Sequence, residues 1–249
     1  SLTLAFVPRY VKLAQTGGLE KADAFARSVL LLSIAGSIIL VGISGYFSEH
    51  WAWLLAPGLT KSKDTLEITP ELVRYTLGHI PFICALAVCM GILNSKGYFL
   101  GPALAPVTLN STLILVGLYL LATGARPEKS AWVLCAVMPV AGLLQWCAQQ
   151  PFLRISGFQW RGPLYKQDRE VAAFFRVLPE TLTGASSHQL NVFLGGILAS
   201  FTGPGSISQL YFAQLLAEFP LGVLGMAVGI AALPEFSGLI GKKEAFSNS

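Results

Sequence analysis

The sequence predicts an all-α, polytopic membrane protein built as a helical bundle. Hydrophobic residues make up 53% of the chain, charged residues only 12%, and the mean hydropathy is +0.61. These values lie outside the range of soluble domains. Apolar stretches long enough to cross a bilayer recur along the chain between short polar connectors. We therefore expect about six complete transmembrane helices.

The first residues, 1–11, are typical of the end of an earlier helix, so we expect the chain to be part of a longer protein. Complete spans are predicted at 27–47, 71–94, 103–122, 131–153, 179–201 and 203–238. Pro81 should break the second span, because proline removes a helical hydrogen bond. The Gly101-Pro102 pair should separate the second span from the third.

The distribution of Lys and Arg predicts the orientation in the membrane. Alternate connectors, beginning with the one before the first span, carry 12 of the 17 cations, and the others carry 5. Cytoplasmic connectors hold the excess of Lys and Arg in membrane proteins, so the first set is predicted to be cytoplasmic. The connector 154–176 contains five of these cations, and its amphipathic end should lie along the membrane surface.

The sixth span carries a carboxylate, Glu218, within an apolar stretch. Tyr211 and Gln214 share its helical face at spacings i, i+3 and i+7. A carboxylate in mid-membrane costs about 3 kcal/mol, so this face should meet protein or water rather than lipid. Pro220 should kink the helix beside Glu218. A kink next to an ionisable group predicts a role in gating or coupling.

Further polar residues in the fourth and fifth spans are candidates for lining a substrate path. They are Gln145 and Gln149, spaced i, i+4, and Glu180, His188 and Asn191 on one face of the fifth span. Other roles stay open. The glutamines also suit interhelical hydrogen bonds, and His188 also suits a hydrogen-bonded position in the core. Glu180 could instead cap the helix or contact lipid headgroups, and Tyr211 could be an ordinary aromatic residue at the membrane interface.

Several functional classes are excluded. The cations do not form a basic surface interleaved with aromatic residues, so no nucleic-acid partner is predicted. The four cysteines lack the spacing of metal ligands, and no metal or other cofactor is assigned. His188 has no Glu, Ser or Asp at the spacing of a catalytic motif. We therefore expect a transporter rather than an enzyme.

Several stretches together resemble one family. They are LTLAFVPRYVK at 2–12, GILNSKGYFLGPALAPVTLN at 91–110, AGLLQWCAQQPFLRISG at 141–157, LPETLTGASSHQLNVFLGGILASF at 178–201 and GSISQLYFAQLLAEFPLGVLGMAVGIAALPEFS at 205–237. They are similar to the MurJ/MviN lipid II flippases of the MOP transporter superfamily. The resemblance covers nearly the whole chain.

This resemblance implies a MATE-like fold in which two lobes of six helices surround a cavity that opens alternately to each side of the membrane. Residues 1–177 would be part of the N-terminal lobe, from the end of helix 2 to helix 6. Residues 178–249 would begin the C-terminal lobe with helices 7 and 8. The implied partners are lipid II, a peptidoglycan precursor of the cell wall, and the lipids of the bacterial cytoplasmic membrane.

The chain also departs from the family pattern YYADRLMEFP. Gln214 stands where that pattern has Asp, and Leu215 stands where it has a basic residue, whereas Glu218 and Pro220 match. Some members carry an Asp linked to sodium binding at the position of Gly195, so a sodium site there is not supported. Coupling to the membrane potential or to a monovalent cation is implied by the resemblance.

Two alternatives to a lipid II flippase remain open from the sequence. One is another MOP-type transporter, either a polysaccharide-lipid flippase or a cation-coupled multidrug exporter, because Glu180, His188 and Glu218 also suit proton coupling. The other is a non-transporting scaffold or degenerate paralogue. The presence of Leu215 where the family pattern has a basic residue favours this alternative.

Overall fold

The computed structural model describes residues 2–55, 57–58, 63–165, 168–203, 205–218 and 220. The described secondary structure is helical. Its helices are α1 (Leu2–Gly17), α2 (Leu19–Tyr46), α3 (Ser48–Leu55), α4 (Lys63–Leu77), α5 (Ile80–Ser95), α6 (Leu100–Ala122), α7 (Pro127–Ile155) and α8 (Asp168–Ser200), and a further helix covers 206–218. The chain divides into two compact units, Ser1–Phe193 and Leu194–Ser249.

The first four predicted spans are confirmed as long apolar helices. Within the described ranges, the segments long and apolar enough to cross a membrane are Leu19–Tyr46, Glu67–Ser95, Leu100–Ala122 and Pro127–Ile155. The backbone of the predicted fifth span is helical within α8, and its described part from Gln189 to Ser200 is apolar. The sixth span is described as far as residue 220, and its remainder lies outside the described residues.

Three boundaries differ from the predictions. Gly101 and Pro102 lie in the first turn of α6 rather than in the connector, since a helix tolerates proline where its N–H has no intrahelical acceptor. The connector between the first two spans contains a short helix, α3. The helix before the break begins at Lys63 rather than near Glu71.

The second span is broken into α4 and α5 at Gly78 and His79, as Pro81 predicts. Tight turn bonds join Gly78 N to Tyr75 O at 3.2 Å and His79 N to Thr76 O at 3.0 Å. A Cβ on Gly78 would lie 3.0 Å from Pro139 Cγ, so the absence of a side chain allows the break to pack closely against α7.

The core of the first unit is an aromatic cluster between α1, α2 and the beginning of α8. The ring of Phe6 stacks on Phe25 at 5.7 Å between centroids and meets Phe174 edge-on at 6.3 Å. These three side chains are fully buried. The segment expected to lie along the membrane surface therefore places Phe174 in the protein core, because its apolar face packs on α1 and α2.

α5 approaches this cluster through a glycine. A Cβ on Gly91 would lie 2.6 Å from Cδ1 of Phe6, closer than packed atoms approach one another. The bare backbone of Gly91 thus makes the space that the Phe6 ring fills. Small residues commonly allow such close helix contacts in membrane proteins.

A buried carboxylate, Asp23, joins three other segments near the N-terminal end of α2. The Tyr10 hydroxyl donates to its Oδ1 at 2.6 Å, the Gln159 N–H donates to its Oδ2 at 3.3 Å, and Lys96 Nζ lies 3.6 Å from Oδ1. Tyr10 is only 1% exposed, so its hydrogen bond to the carboxylate is shielded from water.

Arg27, one turn after Asp23, fixes the connector between α7 and α8. Its guanidinium donates to the carbonyl oxygens of Gln159 at 2.6 Å and Pro163 at 3.0 Å. The hydroxyl oxygen of Ser28 accepts from the N–H of Tyr165 at 2.9 Å. We call Asp23, Tyr10, Lys96 and Arg27, with the connector 156–165, the polar junction.

The polar junction gathers residues from connectors that the sequence assigned to one side of the membrane. Arg27, Lys96 and the connector 156–165 come from three different predicted cytoplasmic segments, and they meet at one end of the helices. Their common location agrees with the prediction that alternate connectors lie on the same side of the membrane. The assignment of this end to the cytoplasm stays a prediction.

We predict that Gly91→Ala destabilises the first unit by about 1–3 kcal/mol, because the added methyl group overlaps the buried Phe6 ring. Gly36→Ala is the matched control, since a Cβ on Gly36 has no atom of the described residues within 4 Å. Thermal unfolding of the purified protein in detergent measures both effects. Equal unfolding temperatures for the two variants would contradict the close contact.

We also predict that Asp23→Asn loosens the connector 156–165. Lys96, with a side chain only 11% exposed, would lose its charged partner at a cost of about 2 kcal/mol. Exposed Arg161 in the connector reports the opening through its rate of cleavage by trypsin, which should rise up to about 30-fold. Glu20→Gln, an exposed carboxylate of the same helix, should leave this rate unchanged.

Candidate functional site

The helix 206–218 of the second unit presents the predicted polar face. Tyr211 is 59% exposed, Glu218 is exposed and Gln214 is half-buried. Their positions on a regular helix place them on the same side. An exposed carboxylate among apolar neighbours such as Leu215 and Leu216 needs water or further protein around it in a bilayer.

Gly195 of α8 packs against this helix within the second unit. A Cβ there would lie 3.3 Å from Leu210 Cδ2 and 3.8 Å from Gln214 Nε2. The side-chain amide of Gln214 is therefore the polar group beside Gly195. Because glycine has no side-chain oxygen, Gly195 itself supplies no ligand to a cation from its side chain.

The remaining predicted residues of α8 are placed less completely. Asn191 is exposed on α8. The backbones of Glu180 and His188 belong to the same helix, but their side chains lie outside the described residues. Pro220 is described, whereas the rest of its predicted kink lies outside the described residues. The role of each in a substrate path stays a prediction.

Gln145 and Gln149 form a ladder between α7 and α6. Gln145 Nε2 donates to the carbonyl oxygen of Ala105, and Gln149 Nε2 donates to that of Gly101, both at 2.9 Å. Both glutamines are buried. The two glutamines are four residues apart on α7, as their two acceptors are on α6, and the order of the pairs is reversed because the helices run antiparallel. The small side chains of Gly101 and Ala105 leave the accepting carbonyl oxygens accessible. This geometry is the interhelical hydrogen bonding that the sequence left open as an alternative.

Asp23, which was not among the predicted site residues, is one of the most completely paired polar residues in the described chain. The sequence does contain one indication that Asp23 has a structural role. Asp23 and Arg27 are spaced i, i+4 at the beginning of an apolar span, where two charges of opposite sign are unusual. The partners Lys96 and Gln159 were not predictable, since they are distant in sequence.

The described residues contain no group of His, Cys, Asp or Glu side chains suited to a metal ion. The four cysteines are free thiols.

Comparison with known proteins identifies a single family. A family model described as Lipid II flippase MurJ matches residues 1–247. The chain is 32% identical over 243 residues to the probable lipid II flippase MurJ of Vibrio cholerae, covering 94% of this chain and 45% of that protein. It is 30% identical over 237 residues to the protein of the same description from Rhizobium tropici, covering 94% of this chain and 44% of that protein.

A third relative, the probable lipid II flippase MurJ of Bdellovibrio bacteriovorus, is 30% identical over 255 residues, covering 100% of this chain and 48% of that protein. The chain spans about half the length of the curated relatives it matches. With its long apolar helices, the chain is a multi-pass protein of the bacterial cytoplasmic membrane. The match over nearly the whole sequence establishes that the chain belongs to the MurJ lipid II flippase family.

Proposed function

We propose that this chain supplies part of a lipid II flippase, which moves a lipid-linked peptidoglycan precursor across the cytoplasmic membrane by alternating access. Membership of the MurJ family supports this proposal. The long apolar helices and the polar face of the second unit also support it, because a transporter needs both a membrane scaffold and a polar route through it. The protein would act as a transporter rather than as an enzyme.

The observation that carries the proposal within this chain is the exposure of Glu218, on a helix whose neighbouring residues are apolar. A carboxylate facing lipid would cost about 3 kcal/mol. Glu218 shares its face with Tyr211 and Gln214, so the polar surface continues for two turns of the helix. Such a face suits the wall of a water-filled cavity.

The proposed substrate carries a diphosphate, which requires cations when it leaves water. Leu215 stands where the family pattern has a basic residue, so this helix does not supply a cation at that position. We therefore assign Glu218 to gating or coupling rather than to direct binding of the diphosphate. We include coupling to the membrane potential or to a monovalent cation in the proposal, without a sodium site at Gly195.

We predict that Glu218→Gln in the full-length gene product impairs complementation of a flippase-depleted strain while membrane levels stay near normal. Gln preserves shape and hydrogen bonding but removes the charge. Immunoblotting of membranes alongside growth assays separates loss of activity from loss of protein. Wild-type growth with both Glu218→Gln and Glu218→Ala would contradict the assignment.

Glu49→Gln is the matched control for this experiment. Glu49 is an exposed carboxylate in the first turn of α3, away from the polar face of the second unit in sequence. The same change of charge there should leave complementation intact. A comparable loss in both variants would indicate a general effect of net charge.

A second prediction separates packing from a path role for the buried glutamines. Gln149→Leu removes the hydrogen bond to the Gly101 carbonyl and should lower the free energy of unfolding by about 1 kcal/mol while complementation is retained. Gln150→Leu is the control, since Gln150 donates to the Trp146 carbonyl within its own helix. A stable but inactive Gln149→Leu protein would support a path role instead.

A further inference from the structure

The side chain of His79 lies at the break between α4 and α5 and packs against α7. It is only 6% exposed. Its Nδ1 is the closest atom to the position that a Cβ on Gly142 would occupy, and Cβ of Phe82 lies 2.8 Å from the same position. The bare backbone of Gly142 therefore makes the space that the imidazole ring fills.

The Nδ1 atom of His79 is buried and has no hydrogen-bond partner among the described residues. The described chain itself covers this atom, so a protein segment from elsewhere cannot reach it unless α4, α5 or α7 moves. A buried polar atom without a partner costs about 1–3 kcal/mol, and such an atom in a folded protein calls for an explanation. Neither the helix packing nor the proposed function uses it.

The segments closest to the imidazole hold few titratable groups. α5 and residues 130–153 of α7 contain no Asp, Glu, Lys or Arg, and Cys135 of α7 lines the same groove as His79. In α4, Glu71 and Arg74 are exposed, and Arg74 Nε donates to the carbonyl oxygen of Gly45 at 3.0 Å. None of these charges is placed in the buried space beside Gly142.

The other neighbouring helices keep their charges at a distance. α3 contributes Leu55 to the groove that His79 lines, whereas its Glu49 and His50 are exposed in the first turn. The charged residues of α2 lie within 20–27, near the polar junction, and Lys96 of that junction is 17 residues from His79, or about 25 Å along a helix. The site therefore suits a neutral imidazole, and an imidazolium there would be a buried charge without a counter-ion.

The break allows α4 to move separately from α5. Pro81 has no N–H, so the helical hydrogen bonds are interrupted beside Gly78 and His79. On the α7 side, the ring of Tyr75 meets that of Trp132 at 5.6 Å between centroids. A hinge requires only a few residues at the ends of helices that absorb the change in backbone dihedral angles.

We propose that His79 is a proton-binding latch, which holds α4 against α7 when its imidazole is neutral and releases α4 when the imidazole is protonated. An imidazolium carries an N–H on both ring nitrogens, and the one on Nδ1 would face Gly142 without an acceptor. The unpaired charge is relieved when the ring leaves Gly142 and turns toward the exposed carboxylate of Glu71, two turns earlier in α4. The ligand of this site is a proton, and the site is separate from the polar face of the second unit.

The distance between the beginnings of α4 and α7 tests the latch. Unnatural keto amino acids at positions 67 and 128, which are both exposed, carry spin labels while the native cysteines stay in place. Pulsed electron paramagnetic resonance measures the distance in the full-length gene product, in nanodiscs without lipid II. A population several ångström longer should grow several-fold between about pH 8 and about pH 5, the range in which histidine changes charge. A distance that is independent of pH would overturn the proposal.

A histidine variant tests which group takes up the proton. His79→Gln keeps a hydrogen-bonding side chain that cannot become charged, so the shorter distance should persist at both pH values. His50→Gln removes an exposed histidine of α3 and is the matched control, which should keep the full response to pH. Circular dichroism confirms that both variants are folded. A response to pH that survives in folded His79→Gln would contradict the latch.

A glycine variant separates the contact from the charge. The methyl group of Gly142→Ala takes the place of the imidazole, so the longer distance should be present at both pH values. Gly117→Ala is the control, since a Cβ on Gly117 has no atom of the described residues within 4 Å. The shorter distance at both pH values in folded Gly142→Ala would show that the imidazole does not hold α4, which would overturn the proposal.

Nitrogen NMR of histidine-labelled protein detects the proton itself. The imidazole signal that is missing from His79→Gln identifies His79, and it should change from the neutral to the charged form over the same pH range. A signal that stays neutral at about pH 5 would overturn the proposal. Because these measurements need no lipid II, failure of the latch leaves the proposed flippase function unaffected, and complementation tests that function separately.

Discussion

The burial of Asp23 is the interaction on which the architecture of the first unit depends. A carboxylate removed from water is costly unless it is paired and hydrogen-bonded, and Asp23 obtains its partners from Tyr10, Lys96 and Gln159. These partners belong to α1, the end of α5 and the connector after α7. Satisfying one carboxylate therefore fixes three segments relative to α2. Arg27 extends the same constraint along the connector by donating to two of its carbonyl groups.

Away from this end, the helices are held by close approach of their backbones rather than by charge. Gly91 accommodates the Phe6 ring, and Gly78 accommodates Pro139. Gln145 and Gln149 reach the carbonyl groups of α6 because Ala105 and Gly101 leave them accessible. Lipid supplies little hydrophobic driving force between helices, so small residues and a few internal hydrogen bonds must provide the specificity. Buried polar groups of the first unit, such as Gln145 and Gln149, thus join helices, whereas Tyr211 and Glu218 of the second unit lie on an exposed helix face.

The difference in burial between these polar residues supports different roles for them. In a bilayer, an exposed carboxylate such as Glu218 requires an aqueous or protein environment. Under the proposed function, a flippase cavity would provide that environment.

The sequence by itself determined the membrane class, the first four spans, the break caused by Pro81 and the resemblance to the family, because hydropathy, proline chemistry and motifs are local properties. The charge of each connector likewise follows from composition. Only the tertiary structure decided that the beginning of α8 is buried in the core and that the glutamines bond between helices. It also revealed that Asp23 pairs with residues far away in the chain. Contacts between distant segments depend on how helices pack, and the periodicity of one helix predicts its polar face but not the partner that this face meets.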